Sequence, residues 1–226
     1  MTNKKKILPG ESIDCQLIEN LKRANLLKKQ KKKNFSWYKK EIKSIFGVSE
    51  NAKISVKYKN FYGGFVAGEG SINVSAKKNK NALFGILIDP EFSITQHING
   101  LYFLFTALSL FETGSIHYKQ KSKNTLVYRI DNRKSIIEKV IPFWETYISP
   151  YTSKEQKQRI IIYKKILFLL EEKKHKDLFF FVNQILPLWD KLRKQKGQKN
   201  ESFPNLETAK SFAVRKGSSE TVRDLI

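Results

Sequence analysis

The stretch Phe61 to Ser71, FYGGFVAGEGS, sets four glycines, Gly63, Gly64, Gly68 and Gly70, around one carboxylate, Glu69. In a helix each interior glycine gives up roughly 1 kcal/mol relative to alanine, so a structural gain must offset the placement. Gly64, Ala67 and Gly68 stand at i, i+3 and i+4 and leave one helical face nearly bare. A second helix can approach such a face backbone to backbone, and Gly63 extends the small-residue set. Glu69 then ends the helix, where the dipole disfavours an anion by about 0.3 to 1 kcal/mol. A divalent cation, held by Glu69 with the Gly68 carbonyl as a second oxygen ligand, turns this placement into a site. A solvated carboxylate beside a turn is the other reading. A phosphate loop would need Gly-Lys where Gly68-Glu69 stand, and a dinucleotide fingerprint would follow a strand rather than precede one.

Outward from that helix the pattern becomes a compact series. Ser71–Lys77 alternates Ile72, Val74 and Ala76 with polar residues, the period of a strand with one wet face. A turn at Lys78–Asn81 leads to a second strand, Leu83 to Gln96, in which Pro90 predicts a bulge or break near Asp89. Asn99–Phe111 reads as a helix stopped at Thr113-Gly114, and SIHYKQK and TLVYRI form a second hairpin. Helices are expected over Lys134–Tyr147, Ser153–Lys173 and Lys176–Lys196, the last kinked at Pro187. The class is α+β, with an αββαββα core.

The chain has 226 residues and divides on composition into a basic N-terminal extension (1–56) with two short helices, a core (57–196) and a C-terminal tail (197–226) of loop composition with two short helical stretches. Its 43 Lys and Arg against 21 Asp and Glu leave a net charge of +22 beside 40% hydrophobic residues, the balance of a folded polyanion binder. A single cysteine, Cys15, excludes a disulfide framework, and three histidines without helical metal spacing give no built-in structural metal. The longest apolar run, Leu101–Phe111, is too short to cross a membrane, so no membrane partner is expected. MTNKKKILPG shows no cleavable address, and the lysine, Asn, Ile and Phe usage fits an AT-rich organellar gene, of chloroplast or mitochondrion.

Tyr62–Gly70, YGGFVAGEG, resembles the motif of the LAGLIDADG homing endonucleases, and the element order after it is that family's fold. DPEFSITQHING, IDNR, KVIPF, ILPLWDKLRKQ and SSETVR look closest to single-motif enzymes encoded by group I introns in organellar large ribosomal RNA genes. The resemblance implies a site-specific, double-strand DNA endonuclease that is a homodimer, since one chain carries one motif and the catalytic core uses two such helices, meeting through Gly63, Gly64, Ala67 and Gly68. It implies Mg²⁺, or another divalent cation such as Mn²⁺, bound by Glu69 and the Gly68 carbonyl, and a water oriented by Gln96. The basic residue the family places a few positions later falls near Gly100 and is missing, so His117 or Lys157 is assigned that catalytic role. Double-stranded DNA is expected to meet the sheet's polar positions: Asn73, Ser75, Lys77, Lys78, Ser93, Thr95, His117, Lys119, Lys121, Thr125 and Arg129. The alternative is a non-cleaving intron maturase or a nucleic-acid-binding regulator of the same fold.

Overall fold

The computed structural model describes residues 15–48, 54–120, 122–193 and 202–221, so Lys121 lies outside the described residues. After α1 (Cys15–Lys29) and α2 (Phe35–Phe46) come α3 (Val56–Glu69), β1 (Gly70–Lys78), β2 (Ile86–His97), α4 (Leu101–Phe111), β3 (Ser115–Tyr118) and β4 (Thr125–Ile130). Helices α5 (133–147), α6 (Lys154–Glu171), α7 (178–192) and α8 (Leu206–Thr221) complete the chain. Several helix starts are set by a side-chain cap: Ser55 accepts from Tyr58 N at 3.1 Å and Ser153 from Gln156 N at 3.2 Å.

The four strands form one antiparallel sheet in the order β1-β2-β4-β3. Ile72, Val74, Ala76, Ile88, Phe92, Ile94, Leu126, Tyr128 and Ile116 bury one face against the helices. The alternate residues, from Ser71, Asn73 and Lys77 on β1 to Arg129 on β4 and Lys119 just past β3, are exposed or half-buried on the other.

The expected bulge at Pro90 is absent: Pro90 stands in register opposite Val74. The reason lies in the alternation of the ladder. Ile116 gives its N–H and C=O away from β4, which makes Tyr128 bond toward β2 and directs the main-chain groups of Ile94, and of Pro90 four residues earlier, away from β1. On that side β4 has already ended, at the Phe92–Ile130 pair. A residue without an N–H costs the ladder nothing there.

The N-terminal helices are part of the core rather than an appendage, which corrects the reading of the leader as lying outside it. Leu21, Ala24, Tyr38 and Ile42 are buried with the sheet residues. β3 is an edge strand, and α1 and α2 satisfy its outward main chain: Tyr38 Oη accepts from Ile116 N at 2.9 Å and donates to Asn25 Oδ1 at 2.7 Å, while Asn25 Nδ2 donates to Ile116 O at 2.8 Å. Lys28 Nζ bonds Gly114 O just ahead of the strand. An open edge would otherwise be a template for pairing with another chain.

The tail is likewise structured. Leu206–Thr221 is a 16-residue helix that buries Ala209 and Ala213, and Phe203 ahead of it packs edge-on to Phe212 at 5.3 Å. Pro187 does not simply kink its helix. Both α5 and α7 contain a π turn, Ile136–Val140 and Phe181–Ile185, immediately before the residue that precedes Pro142 or Pro187. The widened turn makes room for a residue that lacks an N–H and crowds the preceding carbonyl.

Candidate nucleic-acid interface and cleavage site

The motif helix is fixed from one side by aromatic packing. Tyr62 is fully buried and donates to Phe103 O on α4 at 2.7 Å, and Phe65 stacks on Phe103 with centroids 4.4 Å apart. At its end Gly70 N–H bonds Val66 O and the chain turns directly into β1. A Cβ on Gly70 would lie 2.5 Å from that same Val66 oxygen, so only glycine makes this corner. The corner leaves Glu69 exposed at the root of the sheet.

The glycines divide between two tasks. Gly64 and Gly68 are exposed, and a Cβ on either would meet no described atom within 4 Å. Gly63 is buried, and a Cβ there would collide with the Tyr147 carbonyl of α5. The expectation that Gly63 shares the open face is therefore corrected: it lets α3 and α5 close on each other within the protomer. Ala67 is half-buried and lines a cleft of about 140 Å³ with Gly70, Ser71, Ile72, Trp144, Gln156 and Arg159. Phe61, 59% exposed, continues the Gly64–Gly68 stripe at i−3 and i−7.

Gln96 is on the strand beside β1, two residues beyond Ile94, which pairs with Gly70. Two residues of the neighbouring strand thus separate it from the root where Glu69 stands. At Gly100 a Cβ would fall 2.7 Å from Gln96 Oε1, so the glutamine amide packs over the bare backbone.

Of the two substitutes for the missing basic residue, His117 is not brought to Glu69 within the protomer. His117 is on β3, three strand spacings of about 4.8 Å, roughly 14 Å, from β1. It accepts or donates a 2.7 Å bond with Ser115 Oγ, and burial, followed by Arg129 and Lys29, holds its pKa down at about 4. It is a neutral imidazole on the open sheet face at pH 7. Lys157 is exposed on the first turns of α6. The side chains of that segment that reach the motif are Gln156, in the cleft, and Arg159, whose Nη2 donates to Ile72 O at 3.3 Å and Nη1 to Leu192 O at 2.6 Å.

On the open face the ladder sets Ser71 opposite Ser93, Asn73 opposite Glu91, Ser75 opposite Asp89, Ser93 opposite Arg129, Thr95 opposite Val127, and His97 opposite Thr125. Asn73, Ser75, Lys77, Ser93, Thr95, Thr125, Arg129 and His117 therefore share one surface, with Lys119 exposed just past β3. Lys78 departs from it. As the last residue of β1 it turns toward the C-terminal segment, with Nζ 5.7 Å from the centroids of both Phe203 and Phe212.

Two acids that alternation alone could have flagged share the same face. Asp89 pairs with Lys77 at 2.6 Å and Glu91 with Arg129 at 3.0 Å. Burial pushes the Glu91 carboxyl up, and Arg129 works against that shift.

Among the described residues no group of three or more His, Cys, Asp or Glu side chains could hold a metal. Glu69 and the adjoining Gly68 carbonyl form an oxygen-only pair at an exposed helix end. Such donors suit a hard divalent ion whose remaining ligands come from outside the protomer.

The family model described as LAGLIDADG endonuclease matches residues 62–167. The chain is 46% identical over 205 residues to DNA endonuclease I-CeuI of Chlamydomonas moewusii, covering 91% of this chain and 93% of that protein. The solved structure of the group I intron-encoded homing endonuclease I-CeuI complexed with DNA superposes with a TM-score of 0.86 at 45% identity, over 92% of this chain and 99% of that one. The archaeal intron-encoded homing endonuclease I-Vdi141I complexed with DNA follows at a TM-score of 0.63 and 25% identity, over 72% and 98%. A glycine-faced motif helix ending in an exposed carboxylate, an αββαββ core and a full-length relative of this identity place the chain in the LAGLIDADG endonuclease family.

Proposed function

We propose that two copies of this chain meet through the Gly64–Gly68 stripe of α3 and cut both strands of a long, pseudopalindromic duplex. The observation that carries this reading is the open stripe itself: an exposed Phe61 continues a helix face whose glycines no described residue covers, and Glu69 stands at the end of that face. Pairing two such helices brings two Glu69 carboxylates together, where their mutual repulsion favours a cation. A divalent ion, Mg²⁺ or Mn²⁺, held by Glu69 and the Gly68 carbonyl would supply charge stabilisation of the scissile phosphate and the leaving oxygen. Gln96, on the adjacent strand, orients the attacking water, and Ala67 shapes the cleft beside the motif. The polar row of the sheet lies along the duplex, and the two active sites face each other across the minor groove, so that the cuts are staggered.

The relatives are intron-encoded, and we place this gene in a group I intron of an organellar large ribosomal RNA gene. The test is cleavage of duplex DNA spanning an intronless copy of such a gene, with purified protein in Mg²⁺ or in EDTA. A single Mg²⁺-dependent double-strand cut is the expected result. Salt-sensitive binding to the same DNA without any cut, or preference for folded intron RNA, would overturn it in favour of a binding role.

A further inference from the structure

A protein of net charge +22 that presents a sheet to a polyanion has reason to keep carboxylates off that sheet, yet Glu91 and Asp89 are both on it. The two differ. Asp89 is 33% exposed and its partner Lys77 55%, an arrangement worth little beyond solubility. Glu91 is 23% exposed, sits in the middle of the ladder between Asn73 of β1 and the β4 side, and is engaged with Arg129, itself 48% exposed.

The contact is made through Nε, the inner nitrogen of the guanidinium, at 3.0 Å from Glu91 Oε2. This leaves the outer end of the fork, Nη1 and Nη2, as the part that can meet a base edge. Arg129 is also flanked by Ser93 on one side and Ser115 on the other, side chains too short to compete for its position. His117, bonded to Ser115, closes the row as an uncharged ring.

We propose that Glu91 is a positioning residue for sequence reading: it holds Arg129 in the pose in which the guanidinium reads one guanine, through O6 and N7, in each half of the target. This rests on the DNA-cutting dimer proposed above and adds to it a specific residue and a specific base. An arginine free to swing would serve any phosphate within reach. Paired, with Nε as its closest atom, to a carboxylate that itself repels phosphate, it is reserved for a base, and non-specific attraction is traded for discrimination. The acid on the binding face is explained by what it denies the backbone as well as by what it orients.

The experiment is selection of bound duplexes from a library randomised through the target, read by sequencing, for the wild type, Arg129→Ala, Glu91→Gln and the double variant. Binding is the readout, so the result does not depend on cleavage. The expected outcome is that Arg129→Ala erases a guanine preference at one position of each half-site, and that Glu91→Gln weakens the same position by about tenfold or more. Glu91→Gln should also bind unrelated duplex at least as tightly as wild type, and the double variant should match Arg129→Ala alone. An unchanged profile in Glu91→Gln overturns the positioning role while leaving the endonuclease reading in place. An equal loss at all positions, accompanied by a lower melting temperature, overturns it in favour of a structural role. A wild type that selects no sequence overturns both.

Discussion

Glu69 and His117 show how position in the fold, more than residue type, decides what a titratable group does. Glu69 is exposed at the end of a helix whose terminal carbonyls disfavour an anion, a place where a cation supplied on the assembly proposed above would be favourable. Replacing it with glutamine is expected to abolish cutting and leave duplex affinity within a few fold, or slightly raised, because a charge facing phosphate is removed. Gel shift and cleavage on the same preparation check this, and full activity in Glu69→Gln would disprove the metal role. His117 is governed by burial, with Arg129, Lys29 and Lys28 disfavouring its charge and Asp131 favouring it. Its folded pKa of about 4 is below the ordinary value of 6.5, so between those values the unfolded chain binds the extra proton. Stability contributed by neutral His117 is therefore full above about pH 6.5 and is lost as pH falls toward 4. His175, also lowered, acts in the same direction, whereas Glu91, raised, opposes it. The urea midpoint of His117→Asn should accordingly fall less than that of wild type between pH 7 and pH 5; equal falls would show that the ring is not the titrating group.

At the level of elements the motif helix packs on α5 at Gly63 and, in the dimer proposed above, on its partner at Gly64, and substitution separates the two. Gly63→Ala drives a methyl into the Tyr147 carbonyl and should cost the protomer about 1 to 3 kcal/mol, seen as a lower denaturation midpoint. Gly64→Leu adds its side chain to open space, so the protomer keeps its melting temperature while sedimentation shows a monomer. A dimeric Gly64→Leu would mean that another face pairs. The sequence made the stripe legible through the i, i+3, i+4 spacing, but spacing cannot say which of two adjacent glycines turns inward; that depends on α5, about 80 residues downstream. The hairpins and the wet sheet face were readable for the same reason: alternation is a local signal. What could not be read was set by distant partners. Pro90 is accommodated because β4 stops short of it, α1 and α2 belong to the core because β3 has an edge to cover, and the tail, expected to hold two short helices, forms one 16-residue helix against α7 and the β1–β2 turn. His117 and Lys157 were assigned to the site on charge and chemistry, and the strand order separates the first from Glu69 in a way no single segment displays.

The whole molecule couples a strongly basic surface to a recognition face on which charge is rationed. Of the basic positions on that face, Lys77 and Arg129 are already paired to acids, His117 is neutral and Lys119 is exposed at its rim, so on the function proposed above sequence reading rests largely on oriented polar groups. The excess of +22 must then act elsewhere, on the phosphates alongside, through lysines spread over the rest of the surface. Two consequences can be separated by salt. A β1 strand of nine residues spans about 30 Å, so a dimer covers some 18 base pairs or more. If 6 to 10 phosphates are neutralised, affinity falls by roughly 10³ to 10⁵ between 50 and 200 mM salt. The slope of log affinity against log salt should be nearly the same for the true target and for unrelated duplex, because both release the same counterions, whereas the offset between the two lines measures what the sheet reads. Titrations by fluorescence anisotropy at four or five salt concentrations would give both quantities. A flat line for unrelated duplex would mean that the basic surface is merely solvated, and a target line much steeper than the non-specific one would assign the phosphate contacts to the sheet itself, against the pairing of its charges seen here.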